Sequence, residues 1–328
     1  MNICVTGGAG YVGSFIVHRL AELDHRVTVV DNLSKGHMPA VDPRAHFIQA
    51  DCGDVAAMAE LLTGRRIDAV VHMAAFSLVG ESVTQPAKYY RNNLVASLSL
   101  LEAMAQAKVD RLVFSSSAAV YGEPETQPIA EEAATQPINP YGRTKLLFEE
   151  ALGDFCPAYQ IGAVALRYFN VAGGLPDGEL GEDHRPESHL IPLVLQAAQG
   201  KLKAITIYGD DYPTADGTCI RDYIHVLDLA DAHVLALEAA EPGLVKAFNL
   251  GNGDGFSVRQ VIQTAEKVVG HSIPTQIGPR RPGDPPVLVA SSEKIQQELG
   301  WQPIRGDLEM IIDDAWAFHR SHPDGYGE

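Results

Sequence analysis

The first thirteen residues, Met1-Asn-Ile-Cys-Val-Thr-Gly-Gly-Ala-Gly-Tyr-Val-Gly13, set a short apolar run against glycines at 7, 10 and 13. A strand that ends in such a turn lets backbone come close to a ligand. A helix starting just after it aims its free N–H groups and positive dipole end at the same point. The ligand this suits is a dinucleotide pyrophosphate, with Gly7, Gly10, Tyr11, Val12 and Gly13 as the candidate contacts. Such spacing also occurs in ordinary tight turns, so the assignment rests on the strands and acids downstream of it.

A helical stretch over residues 11–22 leads to an apolar strand at 26–30 that runs into Asp31. A carboxylate there accepts both hydroxyls of an adenosine ribose, and its charge repels a 2'-phosphate, so NAD is expected rather than NADP. Lys35 is the cation near enough in sequence to argue the other way. Residues 46–51 and 67–75 read as further strands, the second running into Ala74 and Ala75. Small side chains there either admit a cofactor or only pack strand against helix. With strands at 111–114 and 161–166, the pattern predicts an α/β fold: a Rossmann-type doubly wound, mostly parallel sheet covered on both faces.

A chain of 328 residues, 46% of them hydrophobic, can bury a large α/β body and a smaller one. Residues 1–170 are expected to form the NAD-binding body, rejoined by 220–248. Residues 171–219 and 249–328 are expected to form a smaller C-terminal α/β domain that binds substrate. The stretch 171–189, rich in Gly, Pro, Asp, Glu and His, is too irregular for a buried strand and reads as a cleft rim, and a short helix is predicted over 190–199. A net charge of −17 argues against nucleic acid, so an anionic ligand must be drawn by local arginines. No apolar run approaches 18 residues, no secretion signal opens the chain, and four scattered cysteines form no Cys-x-x-Cys pair. The expectation is a cytoplasmic protein without a membrane partner. Glu182, Asp183, His184 and His189 are dense, but a polar surface loop accounts for them and no metal is expected.

The chemistry falls in Ser115-Ser-Ser-Ala-Ala-Val-Tyr-Gly122 and Pro140-Tyr-Gly-Arg-Thr-Lys145. Tyr141 and Lys145 stand one helical turn apart on a common face. A tyrosine with a pKa of about 10 is a poor base at neutral pH, but an adjacent ammonium and a nicotinamide cation favour its phenolate. Lys145 can also reach the cofactor ribose, and Ser117, at a strand end, can hydrogen-bond the hydroxyl that Tyr141 deprotonates. Together they read as a proton-handling unit beside a hydride acceptor.

In order along nearly the whole chain, the glycine turn, Asp31-Asn-Leu33, Val79-Gly-Glu-Ser82, the serine segment, Tyr141 with Lys145, Arg167-Tyr-Phe-Asn170, Gly181-Glu-Asp183, Arg221-Asp-Tyr-Ile-His-Val226 and Arg281-Pro-Gly-Asp284 resemble the extended short-chain dehydrogenase/reductases, in the branch that epimerises nucleotide sugars. The resemblance implies NAD held through the cycle and a homodimer. It implies reversible inversion at C4 of UDP-glucose and UDP-galactose through a transient UDP-4-ketohexose.

By motif, it places Asp31 and Asn32 at the adenosine ribose, Asp51 and Cys52 at the adenine, and Lys145 at the nicotinamide ribose, with Tyr141, Ala74, Ala75 and Tyr168 also in the cofactor set. Asn92 falls at the pyrophosphate, with the register against Asn93 open. On the substrate side it places Arg221 and Arg281 on the UDP diphosphate, where each offers a rigid fork of donors. Asp284 falls on the uridine ribose and Asn170 and Leu190 on the phosphate and nucleotide, with Phe169 also in the substrate-binding set. His189 replaces an asparagine of some relatives and is either a phosphate contact or a satisfied rim histidine. Ser77 stands where many relatives carry a lysine against the cofactor. Leu288 falls where the family sets the size of the hexose pocket, which implies weak use of UDP-N-acetylhexosamines; the plainer reading is a core-facing strand residue. Ala118 and Ala119 occupy the positions where dehydratases carry an Asp-Glu pair, and methyl groups carry no protons. A different class of reading is a cofactor-binding regulator without turnover.

Overall fold

The computed structural model describes residues 1–281 and 283–327. Its strands, in chain order, are β1 (Asn2–Thr6), β2 (Arg26–Asp31), β3 (His46–Gln49), β4 (Ala69–His72), β5 (Arg111–Ser115), β6 (Gly162–Tyr168) and β7 (Asn170–Ala172). They continue with β8 (Ile205–Tyr208), β9 (Ile220–Arg221), β10 (Tyr223–His225), β11 (Val245–Leu250), β12 (Phe256–Ser257), β13 (Thr275–Gly278) and β14 (Val287–Leu288). The α-helices are α1 (Tyr11–Glu22), α2 (Val55–Gly64), α3 (Val79–Thr84), α4 (Pro86–Tyr89), α5 (Ala96–Ala107), α6 (Pro140–Tyr159), α7 (Leu190–Ala198), α8 (Val226–Ala239), α9 (Val258–Val269), α10 (Glu293–Leu299) and α11 (Leu308–Ser321).

The main sheet runs β3-β2-β1-β4-β5-β6-β11, with every pairing parallel. Its central strands β1, β2, β4, β5 and β6 are short apolar runs buried at consecutive positions, as a sheet buried on both faces requires. Phe15, Leu20, Leu229 and Leu237 from α1 and α8 cover one face. Met58, Leu101, Phe148 and Leu152 from α2, α5 and α6 cover the other. Strand order reverses between β1 and β4, and a doubly wound sheet opens a crevice at that point, beyond the carboxyl ends of its strands. β3 stops at Gln49, two residues short of the strand expected from sequence, because the chain turns where Asp51 Oδ1 accepts from Gly53 N at 2.8 Å.

A second core gathers Ile191, Leu195, Ile207, Val261, Ile311 and Ile312 from α7, β8, α9 and α11. α9 opens with a reciprocal Ser257–Gln260 capping box and stops at Gly270, φ +80°. The segment expected to be irregular from 171 begins instead as β7, which pairs in parallel with β10. The remainder to 189 has no regular element. Asp222 ties these pieces together by accepting from Asn252 N, Gly253 N and Ala290 N at 2.7, 3.1 and 3.0 Å. Within 249–328, assigned from sequence to the smaller body, Ile295 and Trp301 lie in the large body's core. Trp301 Nε1 donates to Asp228 O of α8 at 2.9 Å. Among the described residues no helix is long and apolar enough to cross a membrane.

His72, at the end of β4, is 1% exposed, with Nδ1 2.7 Å from Thr6 Oγ1 and Nε2 2.7 Å from Ser97 Oγ. Burial first, then the neighbouring Lys145 charge, push its pKa down to about 3, and burial pushes His233 down to about 4. The unfolded chain takes up these protons near pH 6.5 while the folded chain refuses them, so stability falls as pH drops below about 6.5. Each histidine contributes a slope of up to about 1.4 kcal/mol per pH unit. Urea unfolding at pH 7, 6 and 5 measures this, and His72→Gln should flatten the slope by about one proton; an unchanged slope would show that His72 protonates freely in the fold.

Candidate active site

The glycine turn is built by contact as well as by conformation. Gly7 has φ +73°, and a Cβ on Gly13 would stand 2.1 Å from Gly7 O, so any side chain there forces the turn open. Gly10 caps α1 with no side-chain hydrogen bond, which leaves the helix's first N–H groups to the cavity beyond. Gly7, Gly10, Tyr11, Val12 and Gly13 all line that cavity. Asp31 lines it too, at the end of β2, fixed by Ala9 N at 3.1 Å and Leu33 N at 2.8 Å. Asn32, Asp51 and Cys52 continue the same wall, and Ala74 and Ala75 follow the end of β4.

The register between the two asparagines is decided by hydrogen bonding. Asn93 is buried and clamps Phe76, accepting from its N–H at 2.9 Å and donating to its carbonyl at 2.8 Å. Asn92 lines the cavity, with Ser77. Lys35 is also in the lining, but its ammonium donates to Arg185 O at 2.8 Å across the cleft.

Beyond the turn, α6 is capped by Asn139, whose side chain accepts from Gly142 N at 2.8 Å, with Pro140 in the first turn. A Cβ on Gly142 would meet Ala119 O at 2.3 Å, so glycine lets the helix start press onto the serine segment. That approach brings Tyr141 and Ser117 to the same cavity wall, which they line with Lys145, Ser115 and Tyr168. Lys145 does not bond the phenol. Its Nζ donates to Ser115 O at 2.6 Å and sits 5.9 Å from the Tyr141 ring centre. Burial drives the Lys145 pKa down to about 7, against a pull upward from Glu149, one turn further along α6. Burial also raises Tyr141, partly offset by the nearby Ser117 hydroxyl. Burial thus opposes ionisation of the phenol in the chain alone, and the sequence reading asked for a nicotinamide cation beside the ammonium to favour it.

Behind these groups lies a buried pair that sequence reasoning missed. Arg167 of β6 donates Nε to both Glu149 oxygens at 3.1 Å and Nη1 to Tyr121 Oη at 2.9 Å, and Tyr121 donates to Asn249 Oδ1 at 2.7 Å. Ser116 Oγ also bonds Glu149. Arg167 opens the Arg-Tyr-Phe-Asn motif; Glu149 carries no local signal, since a glutamate on a helix is usually solvated.

The substrate-side residues are not brought to one wall. Phe169, Asn170 and His189 line the cavity. Asn170 donates to Asp222 O at 2.8 Å. Leu190 packs against the second core. Arg221 is ion-paired with Asp284, and Arg281 lies over the Tyr208 ring at 4.2 Å. Leu288 of β14 packs on Val120, Tyr121 and Ile129 beside Phe169, so it faces a small core cluster that abuts the cavity wall. Glu81, Glu182, His184 and Arg185 also line the cavity and were not assigned from sequence.

This fold and site define a class, and the chain belongs to the NAD dependent epimerase/dehydratase family, whose sequence profile matches residues 3–251. Within that class its similarity is to UDP-glucose 4-epimerases. It is 50% identical to the one from Lacticaseibacillus casei, covering 100% of this chain and 99% of that one. A crystal structure of a UDP-glucose 4-epimerase superposes with a TM-score of 0.97 at 48% identity, covering all of both chains. The Brucella ovis UDP-glucose 4-epimerase in complex with NAD superposes with a TM-score of 0.93 at 48% identity, covering 97% of this chain and 98% of that one.

Proposed function

We propose that this chain catalyses the NAD-dependent, reversible inversion at C4 of UDP-glucose and UDP-galactose through a UDP-4-ketohexose. The observation that carries the reading is one cavity running from the glycine turn and Asp31 to Ser117, Tyr141 and Lys145. The residues fit the cofactor: the cradle at Gly7 and Gly13 admits no Cβ, and uncapped N–H groups of α1 face it. When bound, NAD supplies reversible acceptance of the C4 hydride. Asp31 and Asn32 hold the adenosine ribose, Asp51 and Cys52 the adenine, Asn92 the pyrophosphate side, and Lys145 the nicotinamide ribose.

Tyr141 takes the C4 hydroxyl proton and later returns it. Ser117 orients that hydroxyl and stabilises the phenolate. A positive charge entering the cleft beside Lys145 supplies what the buried phenol needs to ionise, since opposite charge favours phenolate and burial opposes it. Arg221 and Arg281 leave Asp284 and Tyr208 to take the UDP diphosphate, and Asp284 then receives the uridine ribose. Strong contacts concentrated on UDP leave the keto sugar free to turn over, so that the second face is reduced. Ala118 and Ala119 carry no proton, which disfavours loss of water from the keto sugar.

The reading extends to a homodimer, as the family resemblance implies, and to a reducing cytoplasm, where four unpaired cysteines are at home. Mixing purified protein with UDP-galactose, without added NAD, should yield UDP-glucose; no product even after cofactor reconstitution would overturn the assignment.

Hexose size is set at Leu288, a smaller side chain than tyrosine, packed on the same Val120, Tyr121 and Ile129 cluster that Phe169 of the cavity wall touches. UDP-glucose and UDP-galactose are the preferred pair, with weak activity on UDP-N-acetylglucosamine. Leu288→Tyr should reduce kcat/KM for the N-acetyl sugar by about tenfold or more, while changing that for UDP-glucose only a few-fold, because rejecting a group of this size is worth roughly 1–3 kcal/mol. Equal effects on the two sugars would place the gate elsewhere.

A further inference from the structure

The loop between β7 and α7 gathers Glu182, His184, Glu187 and His189 so that one ligand atom from each lies within 4.8 Å of all the others. His184 Nδ1 is 2.9 Å and His189 Nδ1 2.8 Å from the same oxygen, Glu182 Oε1, and His189 Nδ1 is 2.9 Å from Glu187 Oε1. The two carboxylates are the buried half, 6% and 5% exposed, against 26% and 41% for the two imidazoles. From sequence these residues read as a polar rim without a metal.

We propose that these four side chains form a binding site for a divalent zinc-class ion on the rim of the same cavity, built from residues other than Ser117, Tyr141 and Lys145. Imidazole nitrogen and carboxylate oxygen are both ligands that zinc takes, and four of them match its usual coordination number. Magnesium and calcium prefer all-oxygen sets, so the histidines select against them. Charge balances as well, since two carboxylates offset a divalent ion. The rival arrangement is two imidazolium ions, each held by a carboxylate. That arrangement gains nothing by converging, because it sets like charges side by side, and here the two rings lie only 5.3 Å apart. One ion shared by neutral imidazoles removes that repulsion and uses the convergence.

Asp183, between the ligands, faces away: its carboxylate accepts from Tyr326 N at 3.0 Å, which leaves the alternate residues to turn inward. The site would pin the loop that presents Arg185 and Pro186 to the cavity. Its role is structural, and no step of the epimerisation passes through it.

The test uses full-length, tag-free protein purified without chelator or added metal. Elemental analysis after exhaustive dialysis should find about one zinc per chain, and chelator-stripped protein titrated with Co²⁺ should develop the visible absorption of a tetrahedral cobalt centre. The double variant His184→Ala/Glu187→Gln should lose both signals. Absence of zinc together with absence of the cobalt band in the wild-type protein overturns the site without recourse to any variant, and so does retention of both signals in the double variant. Because these readouts are metal content and a spectrum, they stand apart from turnover of UDP-galactose, whose failure would instead count against the proposed activity.

Discussion

Tyr141→Phe should lower turnover of UDP-galactose by about two to four orders of magnitude while leaving UDP affinity within a few-fold. Phenylalanine keeps the ring in its buried place and removes the one atom that exchanges a proton with the C4 hydroxyl. Ser117, on the same cavity wall, cannot substitute for it, because a serine hydroxyl is a far weaker acid than a phenol. The two should act as a unit, so adding Ser117→Ala to Tyr141→Phe should cost much less than Ser117→Ala costs alone. Steady-state rates with titration calorimetry of UDP separate the effects. A loss of only a few-fold would mean that another base serves the hydroxyl.

Glu149→Gln should destabilise the fold by about 3–5 kcal/mol, since it strands a buried guanidinium that has lost its carboxylate. Glu149 and Arg167 are 8% and 10% exposed, and the pair is linked to Tyr121 and Ser116. The same change removes the charge that holds Lys145 up against burial. Lys145 should then lose its proton at a lower pH, and the alkaline limb of the activity profile should move toward acid. Glu149→Leu/Arg167→Met, which removes both charges, should recover much of the stability and not the profile. A single variant as stable as the parent in urea, with an unmoved profile, would reduce the pair to an ornament of the core.

Much of the first body was legible because each strand is a local apolar run and each turn a local glycine, so pattern and fold agree residue by residue. The helix over 11–22 and the carboxylate ending β2 stand where periodicity puts them. Tyr141 and Lys145 share a helix face by spacing alone. What they do there was less legible. Their protonation depends on desolvation, which is a property of everything packed around them, and burial drives the lysine down and holds the tyrosine up. The choice of Asn92 over Asn93 required the clamp on Phe76, seventeen residues away.

The sequence by itself determined the parallel sheet, the glycine turn and the placing of Tyr141 and Lys145 on one helix face, because each depends on residues within about a turn or strand of one another. Only the tertiary structure decided which distant groups meet. It buried Trp301 under α8. It also set Glu149 against Arg167, paired Arg221 with Asp284, and folded Glu182, His184, Glu187 and His189 onto one point. Such contacts are selected by the packing of whole bodies, and a local pattern carries no record of them.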